Sequence, residues 1–145
     1  MFVSYSRDDA EWAQAFTGFL KPLVRVRRLR LWIDTANIRA SEEWHPELDR
    51  AISQSHLALV LVSARYLRSD FIMETELPAL IDNGVRLAPV LVGDCLWRRV
   101  PELERIQWLD DPGRHGALGL VADQVGERDR RLVGAVGSTA TTVRG

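Results

Sequence analysis

Two glutamates in the stretch SARYLRSDFIMETELPAL, residues 63–80, are the best candidates in this chain for a carboxylate that does chemistry. Glu74 and Glu76 are two positions apart beside a run of apolar residues. On one regular helix over residues 70–83 they would flank a buried stripe on opposite sides, because positions two apart do not share a helix face. Spacing alone therefore leaves the two carboxylates equivalent. The predicted stripe consists of Met73, Leu77, Leu80 and Ile81.

Pro78 separates the two glutamates, because proline is tolerated in a first helical turn and is costly in a helix interior. The regular helix is therefore expected to begin near Thr75, after a turn over residues 70–74. Glu76 would then lie at a helix N-terminus, where the helix dipole favours an ionised carboxylate that could stabilise a developing cation. The alternative, which spacing alone favours, is a structural glutamate that borders a buried face and interacts with the first turn.

The elements that must position this stretch alternate between strand and helix. Apolar, β-rich runs predict strands at residues 1–5, 29–34, 56–63, 86–92 and 105–109. Helical spacing of apolar residues predicts helices at 44–55 and 118–133, and residues 35–43 read as a polar loop. Another helix is predicted after candidate N-caps at Ser6, Asp8 and Asp9. Its apolar face comprises Trp12, Ala15, Phe16, Phe19, Leu20 and Leu23.

This alternation predicts an α/β domain with a doubly wound, five-stranded parallel sheet and helices on both faces, in strand order 2-1-3-4-5. The run 56–63 is nearly all apolar, which is typical of a central parallel strand. In such sheets the ligand crevice lies beyond the carboxyl ends of the strands. Those ends carry residues 5–7, Asp34 and Ser63. We expect residues 1–135 to form the domain, and 136–145 to be a tail or linker leading to a further domain.

Composition excludes several classes of protein. The chain has 145 residues, 46% of them hydrophobic, and a net charge of −1, so neither several domains nor a nucleic-acid partner is indicated. Cys95 is the only cysteine and no apolar run could span a bilayer, which predicts a soluble cytoplasmic domain with no membrane contact. Glycine-rich phosphate loops are missing, and the three histidines lack metal-ligand spacing, so we expect no metal and no bound cofactor.

Four segments, in order over roughly residues 2–110, resemble the TIR (Toll/interleukin-1 receptor) domain family, particularly its bacterial members. FVSYSRDDAEW is similar to the family's first strand and following loop, and LWIDTANIRASEEW to its second strand and BB loop. AISQSHLALVLVSARYLRSDFIMETEL resembles the third strand and the segment that carries the family's glutamate, and RIQWL the late strand. The resemblance implies the flavodoxin-like form of the sheet predicted above.

The resemblance also assigns residues. The family's catalytic glutamate matches Glu76, whereas Glu74 matches a variable position. Substrate-binding positions of the family match or lie next to Tyr5, Ser6, Arg7, Asp34, Trp44 and Phe71. Two positions depart from the family pattern: Ser41 stands where the BB loop often has glycine, and Ile72 where an aromatic often precedes the glutamate by four residues, with Phe71 adjacent.

Two functions occur in this family, and both stay open. The first, which Glu76 favours, is an NAD glycohydrolase that releases nicotinamide and leaves ADP-ribose or a cyclic ADP-ribose isomer, is activated by TIR–TIR self-assembly, and acts in bacterial immunity or signalling. Because the nicotinamide of NAD is already cationic and departs neutral, one carboxylate could suffice where ordinary glycoside hydrolysis needs two. The alternative is a non-enzymatic scaffold that binds other TIR domains. A flavodoxin-like small-molecule sensor is a third interpretation.

Overall fold

Four parallel strands of the described residues form a sheet in the order β2-β1-β3-β4. The computed structural model describes residues 1–26, 30–33, 46–106, 108 and 130–131. The strands are β1 (Phe2–Ser4), β2 (Trp32–Ile33), β3 (Leu57–Val62) and β4 (Arg86–Leu91). The helices are α1 (Ala10–Arg25), α2 (Pro46–Ser53), α3 (Ala64–Arg68), α4 (Leu77–Asp82) and α5 (Pro101–Glu104). This confirms the predicted parallel α/β architecture and the order of the first four strands.

Strand β3 is buried along its whole length because helices cover both faces of the sheet. Successive side chains of a strand point to opposite faces. Accordingly, Leu57, Leu59 and Leu61 join one apolar cluster with Phe16 and Leu20 of α1. Ala58, Val60 and Val62 join a second cluster with Ile52 of α2 and Leu80 of α4. The nearly continuous apolar run in the sequence is the consequence of this two-sided burial.

Helix α1 begins differently from the prediction. A 3-10 turn at Arg7–Asp9 precedes it, and neither Ser6 nor Asp9 makes a side-chain capping hydrogen bond. Asp9 is buried, and its carboxylate instead accepts hydrogen bonds from Ser63 and Arg65, which follow β3. Asp9 thus occupies the predicted N-cap position of α1 but does not cap the helix with its side chain, because its carboxylate bonds to these distant partners. Ser6 precedes the 3-10 turn and not α1 itself.

The stretch around the two glutamates is helical from Asp70 to Asp82, with a π turn at Ile72–Glu76 before α4. In this turn the Leu77 N–H donates to the carbonyl of Ile72, five residues earlier. A proline in a regular helix collides with the carbonyl four residues before it, and the wider turn accommodates Pro78. The regular α-helix thus begins at Leu77, close to the predicted start near Thr75, but the residues of the predicted turn at 70–74 are already helical. Since helical backbone continues on both sides of Glu76, the dipole of a helix start does not act on it.

The π turn also changes which residues face the core, because it adds one residue to the turn. Ile72, Leu77 and Leu80 are buried, as is Glu76, while Met73 is only partly buried and Ile81 is exposed. Leu77 and Leu80 were predicted correctly. Met73 and Ile81 were not, because the prediction assumed a constant helical period.

The fifth predicted strand is not seen in the part of the chain that the structure describes. After α5, Arg105 and Ile106 form a bend, and Trp108 lies outside any strand. The Trp108 Nε1–H donates to the carbonyl of Leu103 at 3.0 Å, and its ring centroid is 4.7 Å from that of Trp97. Trp108 thus packs against α5 and the turn before it, while residues 107 and 109 of the predicted strand lie outside the described residues.

Other predicted segments also fall partly or wholly outside the described residues, among them the ends of the predicted strand at 29–34 and the start of the predicted helix at 44–55. The loop at 35–43 and the tail at 136–145 lie wholly outside them. Of the predicted helix at 118–133, only Arg130 and Arg131 are described, and both are helical. Within the described ranges, no helix combines the length and apolar character that crossing a membrane requires.

Candidate functional site

A crevice of about 420 Å³ opens at the carboxyl edge of the sheet, between the loop after β1 and the helical segments after β3. Parallel strands bring their carboxyl ends to the same edge, which is why residues far apart in sequence meet here. The first loop contributes Ser6, Arg7 and Asp8 to the lining. The segments after β3 contribute Arg65, Arg68, Ser69, Phe71 and Ile72.

Positive charge predominates in this crevice. Among the described residues, Arg7, Arg65 and Arg68 line it together with one acidic residue, Asp8. The Arg65 Nη1 is 3.2 Å from Oδ1 of the buried Asp9, so the Asp9 carboxylate balances part of the charge of the Arg65 guanidinium. Guanidinium groups suit planar, bidentate contacts with phosphate, and the serine hydroxyls can add neutral hydrogen bonds. The arrangement favours an anionic ligand that also has an aromatic ring to stack on Phe71.

Asp9 ties the two walls of the crevice together. It comes from the turn after β1, is only 3% exposed, and accepts hydrogen bonds from the Ser63 hydroxyl and the Arg65 guanidinium. The Ser63 Oγ in turn accepts the Tyr66 backbone N–H at 3.1 Å, which caps α3. Because these bonds cross between separate loops, they fix the position of Arg65 relative to the first loop.

Glu76 is buried next to this edge, at 0% exposure. Its Oε1 accepts a hydrogen bond of 2.8 Å from the hydroxyl of Ser4, the last residue of β1. The same hydroxyl is 2.9 Å from the phenolic oxygen of Tyr66 on α3. Glu74, in contrast, is exposed. The structure thus distinguishes two carboxylates that spacing alone left equivalent, since only Glu76 is buried.

The sequence-predicted site residues divide into three groups. Ser6, Arg7 and Phe71 line the crevice. Tyr5 is buried and belongs to the apolar cluster that packs on α1, and neither it nor Glu76 is among the lining residues. Asp34 and Trp44 lie outside the described residues.

The π turn affects the position where Ile72 replaces the aromatic residue that the family often has before its glutamate. Ile72 is 2% exposed and joins the core, whereas the half-buried Phe71 lines the crevice. Phe71 immediately precedes the π turn that ends at Glu76, and it gives the crevice an aromatic side chain from the position next to Ile72.

Sequence reasoning missed the residues that hold Glu76 and Asp9 in place. Ser4 is a lone hydroxyl in an otherwise apolar first strand, which is a weak signal that its side chain has a buried partner. Arg65 and Arg68 are three positions apart and so share a helix face, a spacing that could have marked them as a pair. Nothing in the sequence shows that Tyr66 reaches Ser4.

Comparisons with known proteins agree with this architecture. A family model described as "TIR domain" matches residues 1–117. The chain is 28% identical over 105 residues to the uncharacterized protein y4lF of Sinorhizobium fredii (strain NBRC 101917 / NGR234), an alignment that covers 70% of this chain and 32% of that protein. The chain thus spans about a third of the length of this relative.

Among solved structures, the fold is similar to the TIR domains in the activated Roq1 resistosome that directly recognizes the pathogen effector XopQ. The TM-score is 0.49 and the identity 20%, over 94% of this chain and 82% of that one.

Proposed function

The chain belongs to the TIR domain family over residues 1–117, and from this we propose that it is an NAD glycohydrolase. It would cleave the bond between nicotinamide and ribose, leaving ADP-ribose or a cyclic ADP-ribose isomer. The observation that carries the proposal is Glu76, a carboxylate held by the Ser4 hydroxyl beside an arginine-lined crevice. We further propose that the domain works in the cytoplasm as an effector of bacterial immunity or signalling, with residues 136–145 linking residues 1–135 to another domain.

The chemistry requires one well-placed carboxylate. When the glycosidic C–N bond breaks, its electron pair stays on the nicotinamide nitrogen, and the cationic ring departs neutral. The ribose becomes an oxocarbenium-like cation that a fixed negative charge can stabilise. Water then adds to the ribose and loses a proton to solvent, or an adenine nitrogen adds and closes a ring. Glu76 would supply the fixed charge, and NAD is the substrate rather than a bound cofactor.

The crevice suits the rest of the NAD molecule. Its two phosphates carry negative charge, which Arg7, Arg65 and Arg68 can balance. The Ser6 and Ser69 hydroxyls can donate to phosphate or ribose oxygens, and Phe71 offers a face for stacking. The size of about 420 Å³ falls within the range of sites that bind small molecules. Asp34 and Trp44 remain proposed contacts from the second-strand side.

The burial of Glu76 bears on activation. At 0% exposure its carboxylate is out of reach of a ligand in the crevice of a single chain. A ribose could contact it only after side chains at the crevice floor move, as contacts between copies of the domain could cause. We therefore propose that TIR–TIR self-association activates the enzyme, and we expect turnover per molecule to rise steeply with protein concentration. A rate per molecule that stays constant over a hundredfold dilution series would contradict this activation.

The decisive experiment measures NAD consumption by the domain when it is forcibly clustered, with the products identified by mass spectrometry. The clustered wild type is expected to release nicotinamide, and Glu76→Ala to lose essentially all turnover. Glu74→Ala is the matched control, because Glu74 lies in the same π turn but is exposed, and it should retain activity. Turnover in Glu76→Ala equal to that of the wild type would exclude Glu76 as the catalytic carboxylate.

The same burial favours one second candidate, a scaffold that binds other TIR domains without catalysis. A buried glutamate with a serine partner can serve stability alone. A scaffold would consume no NAD even when clustered, and would still associate. Substitutions at Ile38 or Ser41, in the segment similar to the BB loop, are expected to disrupt that association.

A further inference from the structure

A chain of buried hydroxyl groups leads to Glu76. The Tyr66 phenolic oxygen lies 2.9 Å from the Ser4 Oγ, and the Ser4 Oγ lies 2.8 Å from the Glu76 Oε1. All three residues are 0% exposed. They come from three separate elements, since Ser4 ends β1, Tyr66 is on α3 and Glu76 ends the π turn. A contact of this kind exists only in the folded protein.

Proton counting fixes the direction of the chain. A serine hydroxyl has one proton, and Ser4 donates it to the Glu76 carboxylate. Ser4 must therefore accept from its other neighbour, so the Tyr66 O–H is the donor in that pair. The chain runs from Tyr66 through Ser4 to Glu76, and each bond polarises the next in the same sense. Such a chain stabilises negative charge on the oxygen at its end.

The position of Tyr66 is itself tightly determined. Its backbone N–H donates to the Ser63 hydroxyl at 3.1 Å, which caps the start of α3. That hydroxyl also donates to the buried Asp9. The Tyr66 ring belongs to the apolar cluster on the same face of the sheet as α4. The phenol thus has little freedom to leave Ser4, and a donor held in place without reorganisation is the most effective kind.

From this geometry we infer that Tyr66 and Ser4 are positioning residues for Glu76, which orient its carboxylate for the bond cleavage proposed above. The inference rests on that proposed function. Neither hydroxyl contacts the substrate in this scheme. Removal of either one should slow the chemical step, while substrate binding in the arginine-lined crevice is left intact.

The kinetic test compares Ser4→Ala, Tyr66→Phe and the double variant, all clustered and assayed for NAD turnover. We expect kcat to fall about tenfold or more in Ser4→Ala, which loses a bond to a charged group, and about threefold to tenfold in Tyr66→Phe. KM should stay within about twofold, because only a transition-state interaction is lost. Because Tyr66 acts through Ser4, the double variant should be no slower than Ser4→Ala.

Ser55→Ala is the matched control. Ser55 is a buried serine whose hydroxyl donates to the Ala51 carbonyl at 2.7 Å, next to the amino end of β3 and far from the crevice. Its kcat should equal that of the wild type, which shows that loss of a buried serine bond does not by itself slow turnover. A Tyr66→Phe variant with wild-type kcat, or with a changed KM alone, would overturn the inference.

Infrared difference spectroscopy provides a readout that does not need turnover. The carboxyl band of Glu76 is identified by its disappearance in Glu76→Gln, and it should shift in both Ser4→Ala and Tyr66→Phe but not in Ser55→Ala. If the wild type proves inactive and both shifts are seen, the proposed function fails and the hydroxyl chain stands. If Tyr66→Phe leaves the band unmoved, Tyr66 does not act on Glu76 and the inference is overturned, whatever the activity.

Discussion

The two ends of the parallel sheet satisfy their buried polar groups in different ways. At the amino end, the buried Ser55 hydroxyl donates to the carbonyl of Ala51, four residues earlier on α2. At the carboxyl end, the buried Ser4 hydroxyl bonds with Tyr66 and Glu76, which are 62 and 72 residues away. Ser55 bonds to a carbonyl of the helix that precedes it, whereas Ser4 connects three elements through side-chain hydrogen bonds.

This difference in hydrogen bonding indicates which end of the sheet carries the functional site. Local bonds to the backbone satisfy a polar group at little cost and create no site. A network of side chains from distant elements is costly unless every member is satisfied, and a satisfied network fixes the relative positions of the elements that it joins. Among the described residues, the carboxyl end has two such networks, around Glu76 and around Asp9, and the arginine-lined crevice lies between the same two loops. The comparison thus supports a functional carboxyl end.

The largest effect is expected from removal of the link between the crevice walls. Asp9→Ala leaves Ser63 and Arg65 without their acceptor, and should lower the free energy of unfolding by about 2 kcal/mol. Hydrogen bonds to a charged group are stronger than neutral ones, but the bond from Arg65 contributes less because that side chain is half exposed and solvent screens its charge. Urea denaturation measures the change. Glu47→Ala, which removes an exposed ion pair with Arg50 on α2, should cost under about 0.5 kcal/mol. Equal costs for the two variants would remove the distinction between the networks and ordinary surface pairs.

The next effect concerns ligand affinity at the two ends. Arg68→Ala removes one positive charge from the crevice lining and should raise the KM for NAD about tenfold, the equivalent of about 1.4 kcal/mol. Arg86→Ala is the matched control, because Arg86 is an exposed arginine at the amino end of β4. Its KM should be unchanged. A similar rise in both variants would mean that net charge, and not the crevice, attracts the substrate.

The same contrast explains how far the sequence predicts this molecule. Four strands and the amphipathic α1 follow from local periodicity, which reports directly on burial. The strand order follows from the alternation of strands and helices, together with the handedness of parallel crossovers. The crevice residues Ser6, Arg7 and Phe71 were found because strand ends and a family resemblance both point to that edge. Local patterns were sufficient wherever structure is local.

Predictions failed where partners are distant or the helical period changes. Asp9 is at the predicted N-cap position but makes no capping bond, because its side-chain partners, Ser63 and Arg65, are more than 50 residues away. The buried stripe was partly wrong because the π turn before Pro78 adds a residue that no periodic template contains. The fixing of Glu76 by Ser4 depends on parallel pairing of β1 with β3, which places the end of the first strand beside the segments that follow the third.

A smaller effect tests the amino end directly. Ser55→Ala removes one neutral, local hydrogen bond and should lower the free energy of unfolding by about 1 kcal/mol, with no change in the NAD kinetics. Urea denaturation and the clustered turnover assay measure the two quantities on one preparation. A loss of turnover in this variant would show that the two ends of the sheet are coupled, and the comparison between them would fail.

The smallest effect is expected at Cys95, which follows β4 at the carboxyl edge but is not among the residues that line the crevice. Partial burial raises the pKa of its thiol, with a smaller contribution from the charge of Asp94, against an opposing hydrogen bond from the backbone at Trp97. Because the thiolate is the reactive form, a raised pKa means less thiolate at pH 7.5. Iodoacetamide should therefore alkylate the native protein a few-fold more slowly than the urea-unfolded chain at that pH, and the difference should shrink as the pH rises above the native pKa. Faster alkylation of the native thiol would show that the electropositive character of the crevice extends along the whole carboxyl edge to β4, instead of ending at the loops after β1 and β3.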